Sequence, residues 1–206
     1  MRKGIDVSRW QGCIDWCKAS KVIDFAILKI GGSDGGLYRD KYYDTNYLGA
    51  KAHNVPVGIY FYMGSDCNTA DKGRALAVNI LKMLANDSYE YPVYLDVEGT
   101  NIVEKDGVTD AVYECCRTLE EAGFYVGVYG SDVSTFRDRV NADALARFDK
   151  WVARYPLEND CTVIKSCGMR QYSSTGKVEG IQGNVDLDIA YYDFPTIIKN
   201  KHLNGF

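Results

Sequence analysis

The hydrophobic pattern of the chain falls into short apolar runs separated by amphipathic stretches. KGIDVS, DFAILKI, VPVGIYFYM, YPVYLDVE and FYVGVYG are brief, rich in β-favouring residues, and mostly apolar at every position. Runs of that length predict strands covered on both faces. Between them the period lengthens. In TADKGRALAVNILKML, Leu76, Ile80, Leu81 and Leu84 share one helical face, with Asn68 or Thr69 placed to cap its start. TDAVYECCRTLEEAG reads as a helix that opens at a Thr109 cap, turns Cys115 and Cys116 to the core and stops at Gly123. This βα alternation predicts an α/β fold with a parallel sheet, either a barrel or a doubly wound sheet. After Gly130 the helical signal weakens. KWVARY, GMRQYS and VDLDIAYY read as strands joined by loops too short for crossover helices, and IIKNKHLNGF reads as a terminal helix or its fraying end.

Polar residues choose between the two architectures. Asp6, Tyr62, Asp96 with Glu98, Tyr129 and Asp186 fall at the C-terminal ends of separate predicted strands. In a barrel those ends converge on one mouth, whereas an open sheet spreads them along an edge. In YPVYLDVEGT the acids Asp96 and Glu98 stand two apart, so they share a strand face with Cα atoms about 6.5 Å apart. In an ordinary buried strand their repulsion and lost hydration would be uncompensated. A helix-capping Asp and a solvated Glu form the plain alternative for this pair alone. But Asp6 ends the first strand and the Asp186/Asp188 pair lies in the last, and these strands become neighbours when a barrel closes. Acids crowded at one mouth with no cationic excess raise at least one carboxyl pKa, leaving a protonated acid beside ionised partners. Splitting a glycosidic bond needs that combination.

Composition narrows the field further. The 206 residues suit one domain, residues 1–206, expected to be monomeric. A formal charge of −4 without a basic run argues against nucleic acid as partner. No run of 18 apolar residues exists, which argues against membrane insertion. Met1-Arg2-Lys3 passes into Gly4-Ile5-Asp6 without an apolar signal core, so the expected routes outward are a leader removed beforehand or release through a membrane pore. Seven cysteines exclude a complete disulfide framework. Cys13 and Cys17 have helical i, i+4 spacing but no second zinc-type pair, and Cys161 and Cys167 flank a short loop that an oxidising medium could bridge. No metal or cofactor is expected, although a carboxylate cluster could instead hold Mg²⁺ or Ca²⁺. The two histidines, His53 and His202, suit surface or loop positions and offer little to a Ser-His-Asp or Cys-His arrangement. GGSDGG at 31–36 lacks the lysine and helix of a phosphate cradle and reads as a loop over the mouth. Sixteen tyrosines and three tryptophans, with Tyr60, Tyr62, Tyr129, Trp151, Tyr155 and Tyr172 at strand ends, favour a wet groove for carbohydrate.

GIDVSRWQG, YLDVEG, WVARY, RQYSS and GNVDLDIAYYD, together and in this order, resemble glycoside hydrolase family 25, the muramidase lysozymes, from Gly4 to about Asp193. YRDKYYDTNYLGAKAHNVPVGIYFY is similar to the family's second helix and third strand, with Asp40 and Asn46 in matching places. The resemblance implies an irregular eight-stranded β/α barrel, TIM-like, that hydrolyses the β-1,4 bond after N-acetylmuramic acid in bacterial peptidoglycan. It implies Glu98 as general acid, Asp96 as its partner, Asp6 and Asp186 as two further acids, and Tyr62, Trp151 and Gln171 as cleft residues, to which the strand-end position adds Tyr129. The motif NVDLD favours Asp186 over Asp188. One departure is Phe61, where many members carry His, so a polar role there would be lost or moved. Two acids on one strand face fit a substrate-assisted route through the sugar's 2-acetamido group. A chitinase-like hydrolase and a glycan-binding barrel without turnover are the rival readings.

Overall fold

The computed structural model describes residues 1–84, 87–99 and 104–206. Its strands are β1 (Arg2–Val7), β2 (Phe25–Gly32), β3 (Tyr38–Arg39), β4 (Val57–Tyr62), β5 (Val93–Asp96), β6 (Val126–Ser131), β7 (Asp149–Ala153), β8 (Met169–Gly176) and β9 (Val185–Ala190). All but β3 close into an eight-stranded barrel, since β1 pairs with both β2 and β9. These eight are the strands the apolar runs mark. β3 is two residues long, pairs antiparallel with the end of β2, and is too short to leave a period.

The sheet is mixed where the pattern predicts it parallel. β9 runs antiparallel to both β8 and β1. The reason is the connection 177–184, which holds no helix: a short return can join only antiparallel neighbours. Asp186 therefore stands at the start of its strand, not at a C-terminal end. The reversal still delivers it to the same mouth, opposite Asp6 in the register.

Helices α1 (Trp16–Ala19), α2 (Tyr43–Ala52), α3 (Ala70–Leu84) and α4 (Lys105–Glu121) lie between the first six strands, and α5 (Phe194–Asn200) follows β9. The stretch from β6 to β9 carries no helix, as the fading period predicts. α3 buries Gly73, Leu76, Ala77, Ile80 and Leu84, with Leu81 at the margin. α4 begins a turn before the expected Thr109 cap. The Thr109 hydroxyl instead donates to the Lys105 carbonyl at 2.8 Å and accepts from the Asn141 amide at 2.9 Å, tying the helix to the β6–β7 loop.

Strand alternation sorts the side chains into two cores. Odd positions of β1 and β4 and even positions of β2 face the helices, and Phe61 is fully buried there. The ring at the position of the family's histidine thus packs between barrel and helices, away from the mouth. The opposite faces fill the barrel with Phe25, Ile27, Tyr94, Trp151 and Met169. Gly127 makes room for this plug: a Cβ there would lie 2.3 Å from the Tyr94 ring. Below its mouth the barrel is a packed core.

All seven cysteines are free thiols, Cys115 and Cys116 buried and Cys13 outside α1. His53 and His202 are exposed. The C-terminus is latched rather than frayed: buried Asn204 donates its amide to the Tyr89 and Tyr91 carbonyls at 3.2 and 2.9 Å and accepts from the Tyr125 amide at 2.7 Å.

Candidate active site

A cavity of about 230 Å³ opens at the barrel mouth, lined by Asp6, Tyr60, Asp96, Glu98, Tyr129, Trp151, Tyr155, Gln171 and Asp186. Inward-facing positions of seven different strands supply most of it. Asp96 ends β5 with its side chain buried inside the barrel. Glu98 lies two residues further, and the ladder continues past the strand end because the Val97 amide donates to the Tyr129 carbonyl at 3.1 Å. The Val97 carbonyl accepts from the Thr135 hydroxyl and from Arg139 Nη1 at 3.1 and 3.2 Å. The segment between the two acids is fixed from both sides, so they keep the shared face that their spacing implies.

Burial acts on every acid. It pushes the Asp96 carboxyl well above the usual carboxylate range, the Glu98 charge adds to that, and Lys29 and Arg139 oppose it. Glu98 is raised too, by dehydration first, with Arg139 and Lys29 opposing and Asp186 adding. Glu98 counts as exposed because it sits at the opening, yet the cleft walls hem it in closely enough to strip much of its hydration. Asp186 is raised by burial alone. Asp6 is raised by burial and by the charges of Asp188 and Asp186. Such an array favours keeping a proton on one of its members, which is what a general acid requires.

The cavity floor is a hydrogen-bonded network. Tyr129 OH donates to Gln171 Oε1 at 2.9 Å, Tyr155 OH donates to the same oxygen, and Gln171 Nε2 donates to Asp6 Oδ2 at 2.8 Å. The Trp151 indole donates to Asp188 Oδ1 at 2.8 Å and packs against Tyr60, Tyr94 and Tyr129. Trp151, Tyr129 and Gln171 are buried. They shape the floor and leave the partly exposed Tyr155 as a ring that solvent reaches.

The structure brings Asp6, Asp96, Glu98, Asp186, Tyr129, Trp151 and Gln171 to one cavity. Tyr62 stands outside the lining, on the rim beside Asp96 in the β4–β5 register. Sequence reading missed the cations. Lys29 Nζ lies 4.8, 5.6 and 5.9 Å from the ring centres of Tyr62, Tyr60 and Tyr38, and with Arg139 it offsets the acid charge. A lone lysine on the inward alternation of an otherwise apolar strand was the available signal. Arg139, in a loop, leaves none. A larger cavity of about 500 Å³ lies beside the start of β8 among Asp160, Cys161, Lys165, Cys167 and Arg170. It is a poorer candidate. Its buried cation Arg170 is committed to the carbonyls of Arg154, Pro156 and Asn159.

The family model of the glycosyl hydrolases family 25 matches residues 5–181, which span the mouth residues up to Gln171. The chain belongs to glycosyl hydrolase family 25. It is 28% identical over 186 residues to the autolytic lysozyme of Clostridium acetobutylicum, covering 90% of this chain and 55% of that protein. Among solved structures it superposes on the CTP1L endolysin with a TM-score of 0.82 and 26% identity, covering 97% of this chain and 70% of that one. It matches the modular autolysin LytC from Streptococcus pneumoniae, solved with a synthetic peptidoglycan ligand, with a TM-score of 0.80 and 25% identity over 92% of this chain and 46% of that one. The family 25 chain described here thus spans about half the length of two of these relatives.

Proposed function

We propose that this chain, acting as one catalytic unit over residues 1–206, hydrolyses the β-1,4 bond between N-acetylmuramic acid and N-acetylglucosamine in bacterial peptidoglycan. The observation that carries the reading is the convergence of Asp6, Asp96, Glu98 and Asp186 on one cavity at the barrel mouth. Family membership supports it, and so do the relatives' names, which include an autolytic lysozyme and an endolysin. Glu98 is the most accessible of the four acids, and the partial burial of its carboxyl favours the protonated form. It gives its proton to the leaving glycosidic oxygen. Asp96 would lie on the same side of the substrate, deeper and with Oδ1 free of any donor among the described residues. That oxygen accepts the N–H of the sugar's 2-acetamido group, whose carbonyl oxygen then attacks the anomeric carbon. Water opens the resulting oxazolinium ring, and the β configuration is retained. Tyr62 and the Tyr129–Gln171 network would fix the sugar's orientation. No metal takes part, and the wall outside the cytoplasmic membrane is the place of action.

Digestion of purified peptidoglycan and of chitin, with reducing-end analysis, tests this. Muramic acid ends from peptidoglycan are expected. Glucosamine ends from chitin would transfer the assignment to a chitinase-like hydrolase, and binding without products would leave a glycan-binding barrel.

A further inference from the structure

The proposed reaction uses four acids and leaves a fifth unassigned. Asp188 lies two residues beyond Asp186 on the same inward face of β9, and it is wholly buried. Its two oxygens are treated unequally: Oδ1 accepts the Trp151 indole proton at 2.8 Å, while Oδ2 has no donor among the described residues. A buried carboxylate oxygen without a donor is strongly unfavourable. No ion pair among the described residues includes Asp188 or Asp6.

The neighbour able to supply the missing proton is Asp6. The antiparallel register pairs Asp6 with Asp186 and Gly4 with Asp188, which makes Asp6 and Asp188 diagonal neighbours on the inner face, and Gly4 puts no side chain between them. The remaining contacts of Asp6 run in one sense. The Tyr129 and Tyr155 phenols donate to Gln171, and the Gln171 amide donates to Asp6 Oδ2 at 2.8 Å. A proton on the other Asp6 oxygen completes the chain at Asp188 Oδ2.

We propose that Asp188 is a positioning residue: charged and held by the Trp151 indole, it keeps a proton on Asp6, which makes Asp6 a neutral strut beneath the mouth instead of a second base. The groups facing the pair agree with this. Asp186 on β9 adds negative charge beside both, and the phenols of Tyr155 and Tyr172 stand near Asp188. The cations Lys29 and Arg139 face Asp96 and Glu98. Burial raises both carboxyls, and the Asp188 charge raises Asp6 further, whereas the Trp151 indole and the Asp6 hydroxyl oppose the rise of Asp188 and make Asp6 the member that keeps the proton. One fixed negative charge then lies below the bound sugar, where positive charge develops, and the phenols of Tyr129 and Tyr155 are locked through Gln171.

Infrared spectroscopy of the intact chain labelled at its aspartate carboxyls reads this directly near neutral pH. The wild type should show a protonated aspartic acid band that Asp188→Asn removes, because the new carboxamide donates to Asp6 and lets it ionise, and that Asp96→Asn leaves in place. Asp188→Asn should also shift the pH profile of kcat while KM stays within about twofold. A protonated-acid absorption undiminished in Asp188→Asn relative to the wild type, or none in the wild type, overturns the proposal. If Asp188→Asn does not fold, Trp151→Phe serves: losing the indole donor should hold the band to higher pH, and an unmoved titration overturns the proposal. Only the kinetic arm rests on the hydrolytic reading. An inactive chain with the Asp188-dependent band would sink that reading and leave this one standing.

Discussion

Glu98 carries the proposed chemistry through a single proton, and the amide that most closely copies its shape cannot supply one. Glu98→Gln is expected to fold with an unchanged circular dichroism spectrum and to lose about 10²- to 10⁴-fold in the rate of wall lysis. Lysis near the wild-type rate by the folded variant would remove Glu98 from its role. Asp96 is tested by stereochemistry. If the acetamido group is the nucleophile, the first product on a soluble muramyl oligosaccharide is the β anomer, seen by NMR before mutarotation. An initial α anomer would recast Asp96 or Asp186 as a base acting on water. Asp96→Asn should slow kcat sharply with little change in KM, since it acts on charge that develops in the transition state. Most of these residues were legible because strand-end acids in apolar runs have few structural uses. Asp188, Lys29 and Arg139 were less legible. Which of two acids reaches the cavity depends on depth along β9, and which cation faces it depends on a loop fold, and neither is a property of local pattern.

Among the helices, the closest approach is decided by the absence of a side chain. A Cβ on Gly73 of α3 would lie 2.1 Å from the Ala111 carbonyl oxygen of α4, against backbone that cannot rotate away. Gly73→Ala gains about 1 kcal/mol of helix propensity. It forces the two helices apart at a typical cost of about 1–3 kcal/mol, more for backbone contact. The net effect expected is a Tm lowered by a few degrees, and a raised Tm would contradict the packing described. The C-terminal latch sets a second test. Asn204→Ala leaves the Tyr89 and Tyr91 carbonyls and the Tyr125 amide without partners, so chemical denaturation should show a loss of about 2–4 kcal/mol. A change under about 0.5 kcal/mol, the range of plain surface substitutions, would mean that the latch holds nothing. The eight barrel strands were readable because burial on both faces leaves continuous apolar runs. The direction of β9 was not, since strand polarity depends on the connection rather than on the strand. The latch escaped notice because a single asparagine in a polar tail carries no period.

For the molecule as a whole, the buried acids put stability and activity in opposition. Asp6, Asp96 and Asp188 are all held well above the usual carboxylate range by burial, and Asp149, beneath the barrel plug, is raised to about 6 despite accepting from Tyr94 and from the Gly168 amide. An unfolded Asp titrates near pH 3.9. Between that value and its folded pKa, each such acid binds more protons folded than unfolded, so stability falls as pH rises through the window. For Asp149 the loss between about pH 4 and 6 reaches roughly 3 kcal/mol. Asp132 has the opposite sign: three backbone amides, of Thr162, Val163 and Ile164, and the Thr162 hydroxyl hold its carboxyl below the usual range. Its contribution is present above pH 3.9 and lost as pH falls through its folded pKa. The two trends enclose an optimum at about pH 4, so Tm should peak there and decline as pH rises towards 8. Asp149→Asn should flatten that decline, because it removes the ionisation without emptying the site. A Tm that climbs steadily from pH 5 to 8 would show that the acids ionise freely in the folded barrel. In that event burial would not hold protons on the mouth acids, and the general-acid role of Glu98, which rests on the same dehydration, would lose its support.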